Sequence, residues 1–157
     1  NILLSIAGNH SILGGPGLFT DNRNHYTITA LEPTSVCFIN SENFKKVLES
    51  NNKFNSKFIE HLNNKTLFTF RKIISLTQKQ MHGKMADALI YLYDVVYKNT
   101  EFALHLNRQD LADMTAMSKD SAIRILKEFE RDGIASIDGK SVKILNIDSL
   151  RELSELG

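Results

Sequence analysis

The sequence has little of what several classes of protein require. It contains one cysteine, Cys37, and no tryptophan among 157 residues, so a disulfide framework within the chain is excluded and a reducing compartment fits. No apolar run approaches the roughly 20 residues of a membrane-spanning helix, and no charged-then-apolar leader opens the chain. The net charge of +1 indicates no class of partner by itself. These absences predict a cytoplasmic protein that contacts no membrane.

Sequence patterns that support catalysis are also missing. The chain has no glycine-rich phosphate loop, no nucleophile elbow and no paired carboxylates. Its five histidines are scattered, and none has metal-ligand spacing with Cys37, which we expect to be a buried strand thiol. We therefore expect a protein that is not an enzyme, and a chain without a metal or cluster site.

The first 40 residues carry the signals of β-strands. The runs "ILLSIA", "YTITAL" and "SVCFI" are β-branched or aromatic, and stretches rich in Gly, Pro and Asn separate them. This pattern predicts pieces of a small antiparallel sheet between Ile2 and Ile39. The chain opens on such a run and without methionine, so we expect a natural N-terminal part to be missing from it.

After Ile39 the apolar spacing changes to about 3.6 residues, the period of a helix. "NSENFKKVLESN" predicts a short helix capped by Ser41. A longer proline-free stretch runs from about Asn52 to Lys98, and near Gly83 one helix is expected to end and another to begin.

The first part of that stretch carries a long apolar stripe. It could pack on the chain's own core, but a helix of 25 residues is about 37 Å long, and the small sheet cannot cover it. We prefer a seam between two identical subunits. The expected seam residues are Phe58, Leu62, Thr69, Ile73 and Leu76.

"LNRQDLADMTAMSKDSAIRILKEFERDGIASIDGK" holds two short helices and a turn. Asn107 is expected to cap the first helix, with Asp110 in its first turn. Ser118 is expected to cap a second helix that begins at Lys119 and is closed by Gly133. Positive and negative side chains cancel over this region, so only their placement on the helix faces is informative.

The second helix separates its side chains by face. Ala122, Ile125, Leu126 and Phe129 share an inner face, and the outer face carries Lys119, Asp120, Ile123, Arg124 and Lys127. We expect the acids Glu128, Glu130 and Asp132 to lie behind. The outer face fits the major groove, where Arg124 would grip a guanine edge and Ile123 a thymine methyl group. Ser118, Ser121 and the first-turn amides would hold phosphates.

A hairpin follows the second helix. "IASIDGKSVKIL" alternates around Asp138-Gly139, a strong hairpin signal, and predicts a two-stranded wing. A helical hairpin and β-hairpin that serve only as scaffold are the alternative.

At these residues the sequence resembles the Crp/Fnr family of bacterial transcription regulators. The match runs without a gap from "LNRQDLA" through "SKDSAIRILKEFERDGIASIDGK" and extends back through "HGKMADAL". The resemblance implies an α+β fold in three parts: a partial antiparallel β-roll of the cyclic-nucleotide-binding type at 1–50, a dimerisation helix at 51–80, and a winged helix-turn-helix DNA-binding domain at 81–157.

The resemblance also implies roles for individual residues. The family's base-reading positions fall on Lys119, Asp120 and Arg124, and Ile123 is added from its place on the helix. DNA-backbone contacts are expected at Asn107, Arg108, Gln109, Ser118, Ser121, Lys127, Gly139 and Lys140. One wing position that is commonly basic in the family is Asp138 here, which departs from the pattern.

The effector pocket departs further. "LLSIAGNHSILGGPGLF" resembles the last part of the family's β-roll. The pair that grips the ribose, Gly-Glu in the family, falls on Gly14 and Gly15, and the arginine that neutralises the cyclic phosphate falls near Asn24 or His25. The Thr-Ser pair of the dimerisation helix is Thr69 and Phe70. A phosphate buried without its cation is unfavourable by several kcal/mol, so we expect an unknown effector that is not cAMP.

The resulting hypothesis is a homodimeric regulator that reads palindromic operators. Its expected partners are double-stranded DNA, a second copy of the chain, RNA polymerase and a small-molecule effector. The alternative is a small-molecule sensor that acts through protein–protein contacts, with a winged helix that does not read DNA.

Overall fold

The computed structural model describes residues 1–157 and contains six α-helices and three strands. In chain order the elements are α1 (Ser41–Ser50), α2 (Asn52–Gln78), α3 (Met81–Tyr91), a π-helical segment (Leu92–Tyr97), β1 (Glu101–Ala103), α4 (Arg108–Thr115), α5 (Lys119–Arg131), β2 (Ala135–Asp138), β3 (Ser141–Ile144) and α6 (Ile147–Leu156). This composition confirms the α+β class.

The chain forms two compact units. One comprises residues 9–70, and the other comprises residues 1–8 together with 71–157. Helix α2 contributes to both, since its residues fall on either side of position 70. The predicted division into domains 1–50, 51–80 and 81–157 assigns functions to segments, and it stays a prediction.

The strands predicted between Ile2 and Ile39 do not form. Residues 1–40 contain turns and extended segments but no hydrogen-bonded strand. β-Branched runs favour extended backbone, but a strand needs a neighbour that satisfies its N–H and C=O groups, and these segments do not pair within the chain. Cys37 is exposed, so the expectation of a buried strand thiol is wrong for the same reason.

Helix α1 packs against the first half of α2. Its N-cap is Asn40, whose side chain accepts hydrogen bonds from the amides of Glu42 (3.0 Å) and Asn43 (3.1 Å), one residue before the expected cap. The ring of Phe44 lies edge-on to Phe58 at 5.1 Å between centroids. Phe58 is only 4% exposed, and this contact removes it from the expected subunit seam.

The break after α2 falls at Lys79 and Gln80, a few residues before Gly83. Gly83 instead lies in the first turn of α3 and faces the end of α6. A Cβ at Gly83 would lie 2.8 Å from Cα of Gly157, closer than real Cβ contacts come. The glycine therefore permits two helices to approach rather than ending one.

The core of the unit formed by residues 71–157 is shared by α3, α4, α5, the sheet and α6. Burying a large apolar side chain of this kind stabilises a fold by about 1.5–3 kcal/mol. Its largest fully buried side chains include Met85, Leu89, Leu92, Leu111, Met114, Ile125, Phe129, Val142 and Leu150. This core fixes the position of α5.

The wing has three strands rather than the predicted two. The antiparallel sheet has the order β1-β3-β2. β1 pairs Phe102 with Val142, and β2 pairs Asp138 with Ser141. Strand β1, which precedes α4, thus pairs with β3 and adds a third strand to the hairpin. No helix of the structure is both long enough and apolar enough to cross a membrane.

Candidate nucleic-acid interface

A capping box sets the start of α4. The side-chain oxygen of Asn107 accepts hydrogen bonds from the amides of Gln109 (2.7 Å) and Asp110 (3.1 Å), and Oδ2 of Asp110 accepts from the amide of Asn107 at 2.8 Å. Backbone amides that have no partner within the helix are thus satisfied by the two side chains in turn. This confirms the predicted cap. The oxygen of Asn107 is thereby occupied, so a phosphate would have to meet its amide NH2 group.

The turn between α4 and α5 brings two predicted phosphate contacts together. Ala116 adopts a left-handed conformation (φ +51°) and ends α4. Oγ of Ser118 then accepts a hydrogen bond from the amide of Ser121 (3.1 Å) and lies 2.9 Å from the Ser121 hydroxyl. Ser118 is the N-cap of α5, as predicted. Two hydroxyls at the positive end of a helix dipole are suited to an anion.

Helix α5 has the two faces that the spacing predicts. Ala122, Ile125, Leu126 and Phe129 are buried against the core, none more than 3% exposed. On the other side, a shallow depression is lined by Asp120, Ile123, Arg124, Lys127, Glu128 and Arg131. Lys119, Asp120, Arg124 and Lys127 are exposed, and Ile123 is half-buried. Three of the four predicted base-contact residues, Asp120, Ile123 and Arg124, therefore share this accessible surface, and the fourth, Lys119, is exposed at the start of the same helix.

Glu128 lies on this outer face and not behind it, which corrects the sequence-based placement. Its Oε1 accepts a hydrogen bond from Nη1 of Arg124 at 3.0 Å, because residues four apart are neighbours on a helix. Its Oε2 lies 2.6 Å from Nε2 of His82 on α3. The hydrogen bond from His82, with a further contribution from the charge of Arg124, lowers the pKa of Glu128.

The remaining acids of the second half of α5 point away from Arg124. Oε1 of Glu130 accepts a hydrogen bond from the amide of Ile137 in β2 (2.9 Å), and Asp132 pairs with Arg131 (2.9 Å). For Glu130 this contact agrees with the predicted position behind the outer face. Asp132 pairs with a residue that itself lines the outer depression, so its predicted position stays a prediction. Helix periodicity could have predicted the pairing of Arg124 with Glu128. It could not have predicted the contact of His82 with Glu128, because these two residues are distant in sequence.

The wing turn lies one residue later than predicted. Gly139 and Lys140 are its central residues, and Asp138 ends β2. Gly139 has φ +57°, and a glycine with positive φ at the first central position suits the mirror-image turns of hairpins. The carbonyl of Gly139 accepts a hydrogen bond from Nη2 of Arg108 at 3.3 Å. Two predicted backbone contacts, Arg108 and Gly139, are thus brought together.

Three further predicted DNA-backbone residues lie on the open surface. Lys127 and Lys140 are exposed. Gln109 is exposed too, but its side-chain amide donates a hydrogen bond to Oδ1 of Asp113 at 2.8 Å. The two lysines are the more available groups for a phosphate.

The predicted effector residues lie within residues 9–70, where the structure brings some of them together. Gly14 is left-handed (φ +92°), and a Cβ there would lie 3.8 Å from Oδ1 of Asn24. A Cβ at Gly15 would lie 3.1 Å from Cδ2 of Leu62. The glycine loop therefore rests against α2.

The other predicted effector residues are engaged or exposed. Nε2 of His25 lies 3.1 Å from Oδ2 of Asp21. The hydroxyl of Thr69 donates to a backbone carbonyl of its own helix at 2.9 Å, and Phe70 is 57% exposed. A backbone amide holds the pKa of Asp21 below its usual value. A carboxylate thus sits beside one of the two positions where the family has its cation.

The exposed apolar face of α2 differs from the face predicted as the subunit seam. The two faces are about a quarter turn apart around the helix axis. Phe58 is buried, and Leu62 and Leu76 are half-buried within the chain, whereas Thr69 and Ile73 are exposed. The large apolar residues of α2 with more than half of their surface exposed are Ile59, Leu67, Phe70, Ile73 and Ile74. We call these five residues the α2 stripe.

Comparison with known proteins finds similarity to bacterial regulatory proteins. A Crp-like helix-turn-helix domain matches residues 83–153. The transcriptional regulatory protein btr of Bordetella pertussis is 20% identical over 157 residues, covering 96% of this chain and 64% of the relative. The anaerobic regulatory protein of Bacillus subtilis is 26% identical over 151 residues, covering 93% of this chain and 63% of the relative.

A solved structure shares the fold. FixK2 from Bradyrhizobium japonicum superposes with a TM-score of 0.69 at 16% identity, over 73% of this chain and 59% of that one. The chain thus spans under two thirds of the length of the curated relatives it matches.

Proposed function

We propose that the chain, which is similar to the Crp/Fnr regulators over its helix-turn-helix region, is a member of that family. We propose further that it is a sequence-specific DNA-binding transcription regulator which acts as a homodimer on palindromic operators. The observation that carries the proposal is the outer face of α5. There Lys119, Arg124 and Lys127 are exposed at the side of a helix whose other side is locked into the core.

The geometry around α5 supports separate roles for two groups of residues, one contacting bases and the other contacting phosphates. Side chains on the N-terminal half of such a helix reach base edges, and Arg124 carries the planar fork that matches guanine. The Ser118–Ser121 pair at the start of α5, the exposed lysines and the wing turn carry polar and positively charged groups that suit phosphates.

The α2 stripe supports a dimer. Its apolar residues line one side of a long helix and have no cover within the chain, and a second copy of the same helix offers a self-complementary surface. A two-fold axis would place two copies of α5 about 34 Å apart, one turn of B-DNA. RNA polymerase and a small-molecule effector are proposed as further partners.

The proposal is tested by selection from a library of palindromic duplexes, followed by fluorescence anisotropy against the selected and a random duplex. We expect the selected duplex to bind at least about a thousandfold more tightly, the lower end for specific regulators at physiological salt. Equal binding to both would refute base reading and would favour the alternative, a sensor whose winged helix makes protein contacts only.

We also expect no useful affinity for cAMP. The Gly14–Gly15 loop lacks the family's carboxylate, and the position of the family's arginine falls near Asn24 or His25, with Asp21 beside His25. Isothermal titration calorimetry of the natural full-length protein should show no binding at micromolar cAMP. The selected duplex, titrated into the same preparation, serves as the control for activity. A micromolar or tighter dissociation constant for cAMP would contradict this prediction.

A further inference from the structure

Glu128 lies between two side chains that come from different helices. Its Oε1 is 3.0 Å from Nη1 of Arg124, one turn earlier on α5, and its Oε2 is 2.6 Å from Nε2 of His82 on α3. The side chain of Glu128 is 24% exposed, whereas that of Arg124 is 53% exposed. One oxygen of the carboxylate therefore contacts another helix of the protein, and the other oxygen contacts a guanidinium that faces solvent.

The side chain of His82 is 41% exposed, but its ring lies against a core residue. The ring of His82 lies 6.1 Å from the ring of Phe129, which is 1% exposed. Because hydrogen bonding lowers the pKa of Glu128, its carboxylate remains charged at neutral pH. A charged acceptor with one oxygen fixed by α3 has little freedom to follow a moving arginine.

Such an acceptor matters because base recognition needs the arginine in one orientation. A free arginine samples many rotamers, and ordering it on binding reduces affinity. The guanidinium has five N–H donors. The bond from Nη1 to Glu128 leaves Nε and Nη2, which form one edge of the fork and suit a bidentate contact with guanine.

We propose that Glu128 is a positioning residue that presents the guanidinium of Arg124 for base recognition, and that His82 fixes the carboxylate from α3. The inference rests on the proposed function, because it refines how the outer face of α5 reads DNA. An opposing role, in which Glu128 competes with DNA for Arg124, predicts the opposite sign in the same measurement.

The test is a double-mutant cycle of Glu128→Ala and Arg124→Ala in the full chain. Anisotropy measures the ratio of affinities for the selected duplex and for one substituted at the base pair to which Arg124→Ala is sensitive. We expect Glu128→Ala to lower this ratio about two- to tenfold, the size expected for immobilising one long side chain. In the Arg124→Ala background it should have no further effect.

Three more variants separate positioning from charge. Glu128→Gln, which retains an acceptor for Nη1, should fall between wild type and Glu128→Ala. His82→Ala should lower the ratio in the same direction. Glu130→Gln removes the same charge from the same helix, but its side chain faces the amide of Ile137, so it should shift the affinity for both duplexes alike.

The outcomes distinguish the inference from the function it rests on. If Glu128→Ala leaves the ratio unchanged or raises it, or lowers it equally in both backgrounds, the positioning role is overturned and the DNA-reading function stands. If the wild-type chain selects no sequence, both are overturned. Thermal melting of each variant, monitored by circular dichroism, shows that the compared proteins are folded.

Discussion

Replacing Arg124 by alanine is expected to lower discrimination by about 1–3 kcal/mol at one base pair in each half-site, with little change at other positions. Arg124 is exposed on the outer face of α5. Only Nη1 of its guanidinium is used in the hydrogen bond to Glu128, so Nε and Nη2 remain available. Its removal eliminates the group that we propose to contact a base edge, whereas the core beneath α5 remains intact. The melting temperature should therefore stay close to that of wild type.

The measurement is an anisotropy titration against the selected duplex and against duplexes substituted at each position of the half-site. Lys140→Ala provides the matched contrast, because Lys140 is exposed in the wing turn and its backbone carbonyl still accepts from Leu104. It should weaken all sequences alike and reduce the salt slope by about 1, the value for one phosphate that is no longer neutralised. If Arg124→Ala also weakened every sequence alike, its assignment as a base-reading residue would be wrong.

Replacing Leu67 by glutamate should prevent the proposed dimer from forming. Leu67 is 52% exposed in the single chain and belongs to the α2 stripe, so the charge is solvated in the monomer and buried only in a dimer. Burying an unpaired carboxylate costs several kcal/mol for each subunit, which corresponds to a dissociation constant raised about a thousandfold or more. Sedimentation equilibrium measures this directly, and binding to a palindrome should fall with it.

Leu145→Glu is the matched control for that experiment. Leu145 has the same 52% exposure but lies between β3 and α6 and is not part of the α2 stripe. It should leave the dimer intact and the helical circular dichroism unchanged. A Leu67→Glu variant that remained dimeric would rule out the α2 stripe as the subunit seam.

The local signals of the winged helix were sufficient to predict its elements. Asn107 and Ser118 cap α4 and α5 as predicted, because a cap is made by a side chain and the amides two or three residues later. The two faces of α5 follow from the same short-range geometry. The wing turn was displaced by one residue, since both Asp138-Gly139 and Gly139-Lys140 can sit at the centre of a hairpin turn and the cross-strand register decides between them.

The first 40 residues show the limit of such reasoning. Their apolar and β-branched runs predict strands, but a strand requires a second strand to pair with, and these runs form no such pair within the chain. The predicted subunit seam meets the same limit at Phe58, which is buried within the chain. Helical periodicity identified an apolar α2, yet which side of α2 is covered depends on Phe44 of α1 and on the loop at Gly15.

The sequence by itself determined the family resemblance, the helix caps and the inner face of α5, because each depends on residues within a few positions of one another. Only the tertiary structure decided which surfaces remain open and which side chains meet across elements. It moved the exposed stripe of α2 away from Phe58, added β1 to the wing, and joined His82 to Glu128 and Arg124. These contacts join residues far apart in the chain, and no local pattern encodes such a distance.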